Sequence, residues 1–542
     1  MSGTWNTPLP RNEPVLSYAP GTPERSALKK ALTAVGSRQA DIPAVVGGRE
    51  VRTGITQDVV SPHCHQRVLA KAHQADRATI DAAVKAAVDA QREWGNWRFE
   101  DRAAVFLRAA ELLATTHRQL LNAATMLGQS KTAFQAEIDS ACELIDFLRF
   151  NVHFAERIYR EQPESSSGVW NRMDHRPLEG FVYAITPFNF TAIGGNLPTA
   201  PALMGNAVVW KPAATAMLSN WYFFKLLEEA GLPPGVINFL PGNPVEVSET
   251  LIADSRLAGI HFTGSTPVFQ SLWKSVAANL ERYTGYPRIV GETGGKDFIL
   301  AHASADVDAL AVGMVRGAYE YQGQKCSAAS RAYIPDTLWP AVRDRVVAMI
   351  NDIRVGDVAD FRNFMGAVID RRAFTRLKDH LEGAKRDPGA KILAGGGTDD
   401  SVGYFVQPTL LQVDDPGYRL MCEEIFGPVL TTYVYPASKW RETLALVDQT
   451  SPYALTGAVF ARDRRALAEA DQALRNAAGN YYVNDKPTGA VVGQQPFGGA
   501  RASGTNDKAG SILNLLRWVS PRSIKETLNP PKDYRYPFME AE

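Results

Sequence analysis

The sequence predicts an α/β fold that is divided into more than one domain. Its 542 residues exceed what one hydrophobic core ordinarily organises, so roughly two or three domains are expected. From residue 181 onwards, short apolar runs typical of buried strands alternate with amphipathic runs typical of helices. This alternation indicates βαβ units around parallel sheets, first across 181–300 and again across 302–480. The run PRIVGETGGKDFILA, residues 287–301, is interpreted as one strand.

The N-terminal part of the chain is expected to be mostly helical. Residues 1–40 have the composition of an irregular arm with a short helix near 24–35. Across 74–161, apolar residues recur at the spacing of amphipathic helices. Asp76 and Asp101 are predicted N-caps there, because an aspartate side chain can accept hydrogen bonds from the first free backbone N–H groups.

Residues 181–210 carry no charged side chain over a length that could cross a membrane. Pro187, Pro198 and Pro201 interrupt this segment, however, and would break a membrane helix repeatedly. We therefore interpret it as a buried strand, a loop, a helix and a second buried strand, with no membrane span. The polar residues 164–180 before it predict a turn that leads into a hairpin.

Composition and charge exclude several classes of function. The formal net charge is zero, from 58 basic and 58 acidic side chains, whereas nucleic-acid-binding proteins are usually basic. The four cysteines, Cys64, Cys142, Cys326 and Cys422, form no CxxC pair, so neither a disulfide framework nor a structural zinc site is expected. No basic segment followed by an apolar one begins the sequence, so no secretory signal is expected. These features favour a reducing, cytoplasmic setting.

Several short motifs superficially resemble binding sites. GETGGKD at 291–297 lacks the first glycine and the final Ser or Thr of a Walker phosphate loop, and no GxGxxG occurs. FTGST at 262–266 could offer backbone N–H groups to a pyrophosphate, although an ordinary turn between strand and helix has the same pattern. HCH at 63–65 would point its histidines and its cysteine to opposite faces of a strand, so a surface strand is preferred to a metal site. NFT at 189–191 matches a glycosylation signal but lies in an apolar run, so we attribute it to chance.

Cys326 lies among small and polar residues in EYQGQKCSAASR, residues 320–331. A thiolate attacks carbonyl carbon atoms readily, and a nearby cation such as Lys325 could lower the pKa of the thiol. Glu292 and Asn189 could supply a general base and an oxyanion donor. Each residue also has an ordinary structural interpretation, as a core thiol, a carboxylate at a strand end and a capping amide. The residues alone leave both interpretations open.

The motifs, taken in order, resemble those of the aldehyde dehydrogenase superfamily. They are PFNF (187–190), VVWKPA (208–213), FTGS (262–265), GETGGKD (291–297), GQKCSAASR (323–331), EEIFGPV (423–429) and PFGG (496–499). The resemblance covers the chain from about residue 40 to about residue 525. It implies the aldehyde dehydrogenase fold, with a Rossmann-like NAD-binding domain, an α/β catalytic domain and a small β oligomerisation flap.

The resemblance also implies domain boundaries and an oligomer. The expected parts are an N-terminal arm (1–40), an NAD-binding domain (41–159 and 181–291), a catalytic domain (292–486), a substrate-anchor loop (487–504), and an oligomerisation flap with the C-terminal tail (160–180 and 505–542). A homodimer or a higher homo-oligomer is expected, because an exposed apolar hairpin is seldom stable alone.

Within the superfamily, the sequence is similar to the branch that oxidises L-glutamate 5-semialdehyde, formed from 1-pyrroline-5-carboxylate, to L-glutamate in proline degradation. Phe188 and Thr293 stand where most members have Trp and Leu, and residues 191–213 and 491–510 are close to the pattern of this branch. Some bacterial members are fused to a proline dehydrogenase, for which this chain has no room. A transient contact with a separate proline dehydrogenase is therefore the expected arrangement.

The resemblance assigns roles to individual positions. Cys326 matches the nucleophile, Glu292 the general base and Asn189 the oxyanion donor. The cofactor NAD would be held by Thr186, Lys211, Gly264, Ser265, Thr266, Pro267, Val268, Thr293, Glu424 and Phe426. The small-molecule substrate would be held by Phe190, Lys325, Ser327, Gly489, Ala490 and Phe497.

Some of these matches carry a specific chemical expectation. Gly489 and Ala490 match the loop whose backbone N–H groups hold the α-carboxylate of the substrate. Phe190 and Phe497 match aromatic walls around its aliphatic chain, and Glu424 matches the carboxylate that holds the nicotinamide ribose. Some relatives carry Ser where Ala490 stands, but alanine keeps the N–H group.

Two alternatives stay open from the sequence. The chain could be a dehydrogenase for another semialdehyde or for an aliphatic aldehyde, with NAD or NADP as cofactor. It could also be a non-catalytic structural or binding protein on the same scaffold. Turnover of different aldehydes separates the first alternative from the main prediction, and the effect of changing Cys326 tests the second. No metal, no nucleic acid and no membrane span are expected in any of these cases.

Overall fold

A computed structural model describes residues 6–542, so residues 1–5 of the predicted arm lie outside the described part. The α-helices are α1 Pro23–Gly36, α2 Arg77–Trp94, α3 Phe99–Ala114, α4 Arg118–Gln129, α5 Ala133–Ala136, α6 Leu144–Arg160, α7 Thr191–Leu203, α8 Met217–Glu229, α9 Pro244–Ala253, α10 Thr266–Ala278, α11 Val307–Tyr319, α12 Trp339–Asp352, α13 Arg371–Arg386, α14 Arg419–Cys422, α15 Trp440–Gln449, α16 Arg464–Ala473 and α17 Ile512–Leu515. A π-helical segment, Glu137–Glu143, joins α5 to α6.

The strands are distributed along the whole chain. They are β1 Ala40–Ile42, β2 Ala44–Val46, β3 Arg49–Val51, β4 Thr56–Ser61, β5 Cys64–His73, β6 Val169–Pro177, β7 Phe181–Ile185, β8 Ala207–Lys211, β9 Ile237–Phe239, β10 Leu257–Thr263, β11 Arg288–Glu292, β12 Asp297–Ala301, β13 Ala329–Pro335, β14 Ala390–Ala394, β15 Thr398–Asp399, β16 Phe405–Val406, β17 Thr409–Val413, β18 Val429–Tyr435, β19 Tyr453–Ala454, β20 Thr456–Phe460, β21 Asn480–Val483, β22 Ala500–Arg501 and β23 Val519–Thr527.

Two seven-stranded sheets organise the molecule. The first has the strand order β11-β10-β7-β8-β9-β2-β3, and its strands from β11 to β9 are parallel. The second has the order β14-β17-β18-β13-β12-β20-β21, and only β14 runs antiparallel there. Strands such as β8 and β12 are buried along their whole length and are apolar except for Lys211 and Asp297 at one end of each, because helices cover both faces of a parallel sheet. The predicted α/β class with parallel sheets is confirmed.

Most predicted elements in the N-terminal part are confirmed. Helix α1 occupies the predicted 24–35 segment, and 74–161 is mostly helical. Asp76 caps α2, since its side chain accepts a hydrogen bond from the Thr79 backbone N–H. The prediction for Asp101 is wrong, because α3 begins at Phe99 and Asp101 lies within the first helical turn. A carboxylate in that turn still interacts favourably with the helix dipole.

Residues 181–210 form the predicted strand, loop, helix and strand, as β7, α7 and β8. Among residues 6–542, no helix combines the length and the apolar character needed to cross a membrane. The prediction of a single strand at 287–301 is wrong. Two strands form there, β11 in the first sheet and β12 in the second. The four residues between them, 293–296, are the linker between the two sheets.

The hairpin predicted at 164–180 is also wrong. Strand β6 does not pair with a neighbour in sequence but with β23, antiparallel over its whole length. This long-range pairing makes a separate two-stranded sheet out of the segments assigned to the flap. The domain boundaries predicted above stay predictions.

The surface strand predicted for HCH is wrong for His63 only, since Cys64 and His65 begin strand β5 and are partly exposed. His63 occupies the turn between β4 and β5 and is only 2% exposed. Its two ring nitrogens lie 3.1 Å from the hydroxyls of Ser61 and Ser130. The described residues include no cluster of three or more His, Cys, Asp or Glu side chains arranged to hold a metal ion.

Candidate active site

Several predicted cofactor residues lie at one edge of the first sheet. Strands β7, β8, β10 and β11 run parallel, so their carboxyl ends share that edge. Thr186 follows β7, Lys211 ends β8, Gly264 follows β10 and Glu292 ends β11. In open α/β sheets, ligands bind in the crevice outside the carboxyl ends of the strands.

Helix α10 begins at this edge, directly after β10. Ser265 is its N-cap residue, but the serine side chain makes no capping hydrogen bond, and Pro267 lies in the first turn. The first backbone N–H groups therefore have no side-chain cap, and they carry the positive end of the helix dipole. Thr266 donates to the Ala502 carbonyl at 3.3 Å, and Val268 is half-exposed beside it. This turn can receive an anionic group such as a pyrophosphate.

Thr186 and Lys211 face each other across neighbouring strands. The indole N–H of Trp210 donates to Thr186 Oγ1 at 3.0 Å. Lys211 is buried, and its Nζ donates to the Pro212 carbonyl oxygen at 3.3 Å. Burial lowers the pKa of Lys211 to about 8. An ammonium group with so little solvation suits the hydroxyl or phosphate oxygens of a ligand.

Glu424 and Phe426 lie against the linker between the two sheets. The Gly295 backbone N–H donates to Glu424 Oε1 at 2.9 Å, while a Cβ atom on Gly294 would lie 2.1 Å from Glu424 Oε2. A side chain at position 294 would therefore displace the Glu424 carboxylate from its present position. Burial raises the pKa of Glu424 to about 7. The Phe426 ring packs edge-on against Phe188, with 5.8 Å between the ring centroids.

Thr293 fixes the first residue of the linker. Its hydroxyl donates to the Ala502 carbonyl at 2.6 Å, and its backbone N–H donates to the Ser503 carbonyl at 3.0 Å. Since Thr266 also bonds Ala502, one stretch of backbone connects the linker with the start of α10.

Cys326 follows a strained turn after α11. Tyr321 and Gln322 have φ angles of 51° and 56°, in the left-handed region that residues other than glycine rarely occupy. The Gln322 side chain holds the turn by donating to the carbonyls of Ser130 and Ala367 at 2.9 Å and 2.8 Å. Such strain persists only where the surroundings enforce it, and it is concentrated at functional sites.

The electrostatic surroundings of the thiol are unfavourable to a resting thiolate. Burial raises the pKa of Cys326 well above its ordinary value, and the carboxylates of Glu292, Asp297 and Glu424 raise it further. Lys325 does not offset this, because its ammonium group donates to Glu320 at 3.2 Å. The thiol is therefore protonated at neutral pH until it gives its proton to a base.

Asn189 and Ser327 lie on either side of the turn that carries Cys326. The buried Asn189 amide donates one hydrogen bond to the Gln324 carbonyl at 3.1 Å. Its second N–H has no acceptor within residues 6–542. The Ser327 hydroxyl donates to Thr488 Oγ1 at 2.9 Å, which connects the turn with the predicted anchor loop.

Cys326 lines a cavity of about 420 Å³ together with every predicted substrate residue. Gly489 has a φ angle of 102°, which favours glycine. The backbone N–H groups of Gly489 and Ala490 have no hydrogen-bond acceptor within the described range. The structure thus brings the predicted substrate residues together around the thiol, as Phe190, Lys325, Ser327, Gly489, Ala490 and Phe497.

Glu292 does not line this cavity. It lines an adjacent, much smaller one of about 30 Å³, and Phe497 and Glu143 border both. Burial raises the pKa of Glu292 to about 8; Lys508 lowers it and Asp507 raises it. No hydrogen bond joins the carboxylate to the Cys326 thiol in the described part of the chain, so the two groups are electrostatic neighbours only.

Glu143 is a site residue that sequence reasoning missed. It ends the π-helical segment Glu137–Glu143 and lines both cavities. Burial raises its pKa well above the ordinary value, and the carboxylate of Asp139 adds to this shift. The π-helical turn gives no signal in the 3.6-residue periodicity from which helices are predicted.

A buried ion pair ties the cavity wall to the Cys326 turn. Lys131 Nζ lies 2.7 Å from Asp139 and sits above the rings of Phe190 and Tyr321, at 4.1 Å and 4.4 Å from their centroids. Asp139 also accepts the backbone N–H of Thr191 at 3.0 Å. Burial lowers the pKa of Lys131, and the Asp139 carboxylate opposes that shift. The pair therefore fixes both an aromatic wall and the turn.

The Aldehyde dehydrogenase family model matches residues 51–523. The chain belongs to the aldehyde dehydrogenase family. The predicted aldehyde dehydrogenase fold is confirmed by this match and by solved structures of the family.

Relatives with this fold are similar over almost the whole chain. The mitochondrial Delta-1-pyrroline-5-carboxylate dehydrogenase of Dictyostelium discoideum is 55% identical over 537 residues, which are 98% of this chain and 96% of the relative. The human mitochondrial enzyme of the same name is 52% identical over 530 residues, covering 98% and 94%. A crystal structure of the Delta-pyrroline-5-carboxylate dehydrogenase from Mycobacterium tuberculosis bound with NAD has a TM-score of 0.97 and 55% identity, and both chains are covered completely.

Replacing Lys131 with methionine is expected to destabilise this aldehyde dehydrogenase by about 3–5 kcal/mol, because Asp139 would stay buried without its partner. Denaturant unfolding of the purified protein measures the effect. Lys85→Met is the matched control, since Lys85 pairs with Asp89 on the exposed surface of α2 and its loss should change stability little. Equal stability of both variants and the wild type would contradict the structural role of the buried pair.

Proposed function

We propose that this protein oxidises L-glutamate 5-semialdehyde, the open form of 1-pyrroline-5-carboxylate, to L-glutamate with NAD⁺ as the oxidant. One observation carries the proposal: the thiol of Cys326 shares a cavity with the unpaired backbone N–H groups of Gly489 and Ala490. A substrate with an aldehyde at one end and an α-carboxylate at the other matches this arrangement. The similar enzymes named above, and the NAD bound to the Mycobacterium tuberculosis structure, support the same reaction.

The first step of the proposed reaction joins the substrate to the protein. Cys326 Sγ releases its proton to water, and the resulting thiolate forms a bond to the aldehyde carbon while the π-electron pair of the carbonyl moves to its oxygen, which gains negative charge. The free N–H of the Asn189 amide and the backbone N–H of Cys326 are the donors that would hold this oxyanion. The backbone N–H of Cys326 also lowers the pKa of its own thiol.

The crevice at the first sheet fits a dinucleotide. The N-terminus of α10 has no side-chain cap, Lys211 is buried with one carbonyl partner, and Gly294 leaves space beside Glu424. NAD⁺, when bound there, supplies the acceptor for the hydride that leaves the substrate carbon.

The last step releases the product. The acyl group is then a thioester on Cys326, and Glu292 accepts a proton from a water molecule that attacks the thioester carbon. The thiol leaves with a proton, and L-glutamate is released. A carboxylate with a pKa of about 8 is a stronger base than an ordinary glutamate, which suits this task. Glu292 must move closer to Cys326 for this step, since it borders the adjacent cavity.

We further propose that the protein assembles as a homodimer or a higher homo-oligomer through the β6–β23 sheet. This sheet has only two strands, and it carries the half-exposed Trp170 with the Arg172 guanidinium 4.0 Å above its ring. An isolated sheet of this size is marginally stable in water. Light scattering of the purified protein measures the oligomeric state.

A cytoplasmic location, with transient contact to a separate proline dehydrogenase, completes the proposal. The four cysteines are free thiols, which suits a reducing compartment. The Dictyostelium and human relatives carry "mitochondrial" in their names, so fractionation of the source cells is the direct measurement of location.

Cys326→Ala is expected to lower NADH formation from 1-pyrroline-5-carboxylate by at least about 10³-fold, because the covalent route needs the thiol. Absorbance of NADH follows the reaction. Cys64→Ala is the control, since Cys64 lies on β5 and does not line the cavity. Near-normal activity of Cys326→Ala would refute the mechanism, and faster turnover of a simple aldehyde by the wild type would refute the substrate.

Activity is expected to rise with pH through about 8, because Glu292 accepts a proton only when it is ionised. Glu292→Gln should remove the base and lower the rate by about 10²–10⁴-fold.

Asp507→Asn removes a nearby negative charge and should move the midpoint of the profile to lower pH. Rates of the wild type and of Asp507→Asn, measured across the neutral and alkaline range, give the two midpoints. An Asp507→Asn midpoint at or above that of the wild type would count against Glu292 as the titrating group.

Gly294→Ala is expected to weaken NAD⁺ binding by at least about tenfold, because its methyl group would displace Glu424. Titration of the protein with NAD⁺, followed by tryptophan fluorescence, measures the affinity. Gly285→Ala is the matched control, since a Cβ atom there meets no atom within 4 Å. The same affinity for both variants would show that Glu424 takes no part in holding the cofactor.

A further inference from the structure

We infer that the N-terminal segment 12–15 is a specificity-determining part of the substrate site, in which Asn12 is a positioning residue for the loop 489–495. The segment lies before residue 51, where the match to the family model begins. It therefore lies outside the part of the chain that the family model matches. The inference rests on the proposed function, because it concerns how the carboxylate end of that substrate is placed.

The segment forms part of the cavity wall. Asn12, Glu13 and Val15 line the same cavity of about 420 Å³ as Cys326 and Ala490. Residues far apart in sequence thus line one space together with the thiol and the proposed carboxylate donors. The size of this space decides which aldehydes can reach both.

Asn12 bridges the loop and helix α6. Its Nδ2 donates to the Val492 carbonyl oxygen and to Asp146 Oδ2, both at 2.8 Å. Its Oδ1 accepts from Gln494 Nε2 at 2.9 Å. Both N–H donors and the carbonyl oxygen of the amide are therefore used, and replacing the side chain would remove all of these bonds together.

Among residues 6–542, Asn12 makes the hydrogen bonds that attach residues 489–495 to other segments, and Ser327 holds Thr488 just before them. Within residues 6–542, the remaining hydrogen bonds of 489–495 stay inside the loop, for example from the Val491 N–H to Gln495 Oε1 at 3.0 Å. Each hydrogen bond that leaves the loop ends on Asn12. Gly489 has no side chain of its own to anchor it, so the bonds from Asn12 to Val492 and Gln494 help to fix the loop that carries its N–H group.

Buried charges hold the segment itself in place. The Glu13 carboxylate accepts from Arg118 at 2.5 Å and from Arg149 at 2.7 Å, and its backbone N–H donates to Asp146 Oδ1 at 2.8 Å. The Leu16 N–H donates to the buried Glu137 at 2.9 Å. Because the segment is held in place, Asn12 offers its hydrogen-bonding groups to the loop at a fixed position.

The consequence is specific to substrates that carry a carboxylate. If Asn12 sets the distance from the Gly489 and Ala490 N–H groups to Cys326, its loss weakens binding of an aldehyde that needs both ends of the cavity. An aldehyde without a carboxylate needs only the thiol, so its KM should not change when Asn12 is replaced. A general structural defect would instead affect both aldehydes equally.

Steady-state kinetics of the full-length enzyme test the inference with 1-pyrroline-5-carboxylate and with propanal. Asn12→Ala is expected to raise KM for 1-pyrroline-5-carboxylate by about tenfold or more, while kcat changes less than about threefold. The KM for propanal and for NAD⁺ should stay at the wild-type value. Asn6→Ala is the matched control, since Asn6 is exposed in the same arm and does not line the cavity. Gln494→Ala removes only one of the bonds and should raise KM less, and it serves as the test if Asn12→Ala does not fold.

Each outcome decides the question. An unchanged KM for 1-pyrroline-5-carboxylate, or an equal rise for both aldehydes, overturns the role of Asn12 and leaves the proposed function intact. Failure of the wild type to oxidise 1-pyrroline-5-carboxylate while it oxidises propanal overturns the proposed function, and the inference with it. Hydrogen–deuterium exchange gives a second readout: 489–495 should exchange faster in Asn12→Ala than in Asn6→Ala.

Discussion

The candidate site depends on the close approach of the linker 293–296 to two other segments. A Cβ atom on Gly295 would lie 2.3 Å from the carbonyl oxygen of Cys326, and one on Gly294 would lie 2.1 Å from Glu424. The Gly295 contact is with backbone and needs glycine, and it lets the end of the first sheet meet the turn that carries Cys326, while a side chain at 294 would displace Glu424. The crevice for the cofactor and the cavity for the substrate are thus joined through four residues of backbone.

Burial is the second constraint, and it sets the protonation of the site. Cys326, Glu292 and Glu424 all have raised pKa values, with burial as the largest cause of each. Acidic groups packed this densely cannot all be ionised at neutral pH, because each negative charge disfavours the next. Burial of Cys326 therefore makes removal of the thiol proton an energetically costly step of the proposed reaction.

Much of the fold could be predicted from local patterns, whereas its long-range contacts could not. The break inside 287–301 was missed because both halves have the apolar pattern of strands. No feature of the local sequence indicates that the two halves join different sheets. The pairing of β6 with β23 joins segments more than 300 residues apart. Among the site residues, Cys326 was singled out by its motif, but Glu143 sits in a π-helical turn that has no periodic signature. Asn12 was missed because its partners lie far along the chain, at Asp146, Val492 and Gln494.

The most direct test of the covalent route through Cys326 is mass spectrometry of the Glu292→Gln variant after incubation with 1-pyrroline-5-carboxylate and NAD⁺. In this variant the substrate bound to Cys326 can still be oxidised to the thioester. The variant lacks the base that activates water to hydrolyse that thioester. A glutamyl adduct is expected to accumulate, and peptide mapping should place it on Cys326. NADH formation without an adduct on Cys326, or with an adduct on another cysteine, would contradict the role assigned to this thiol.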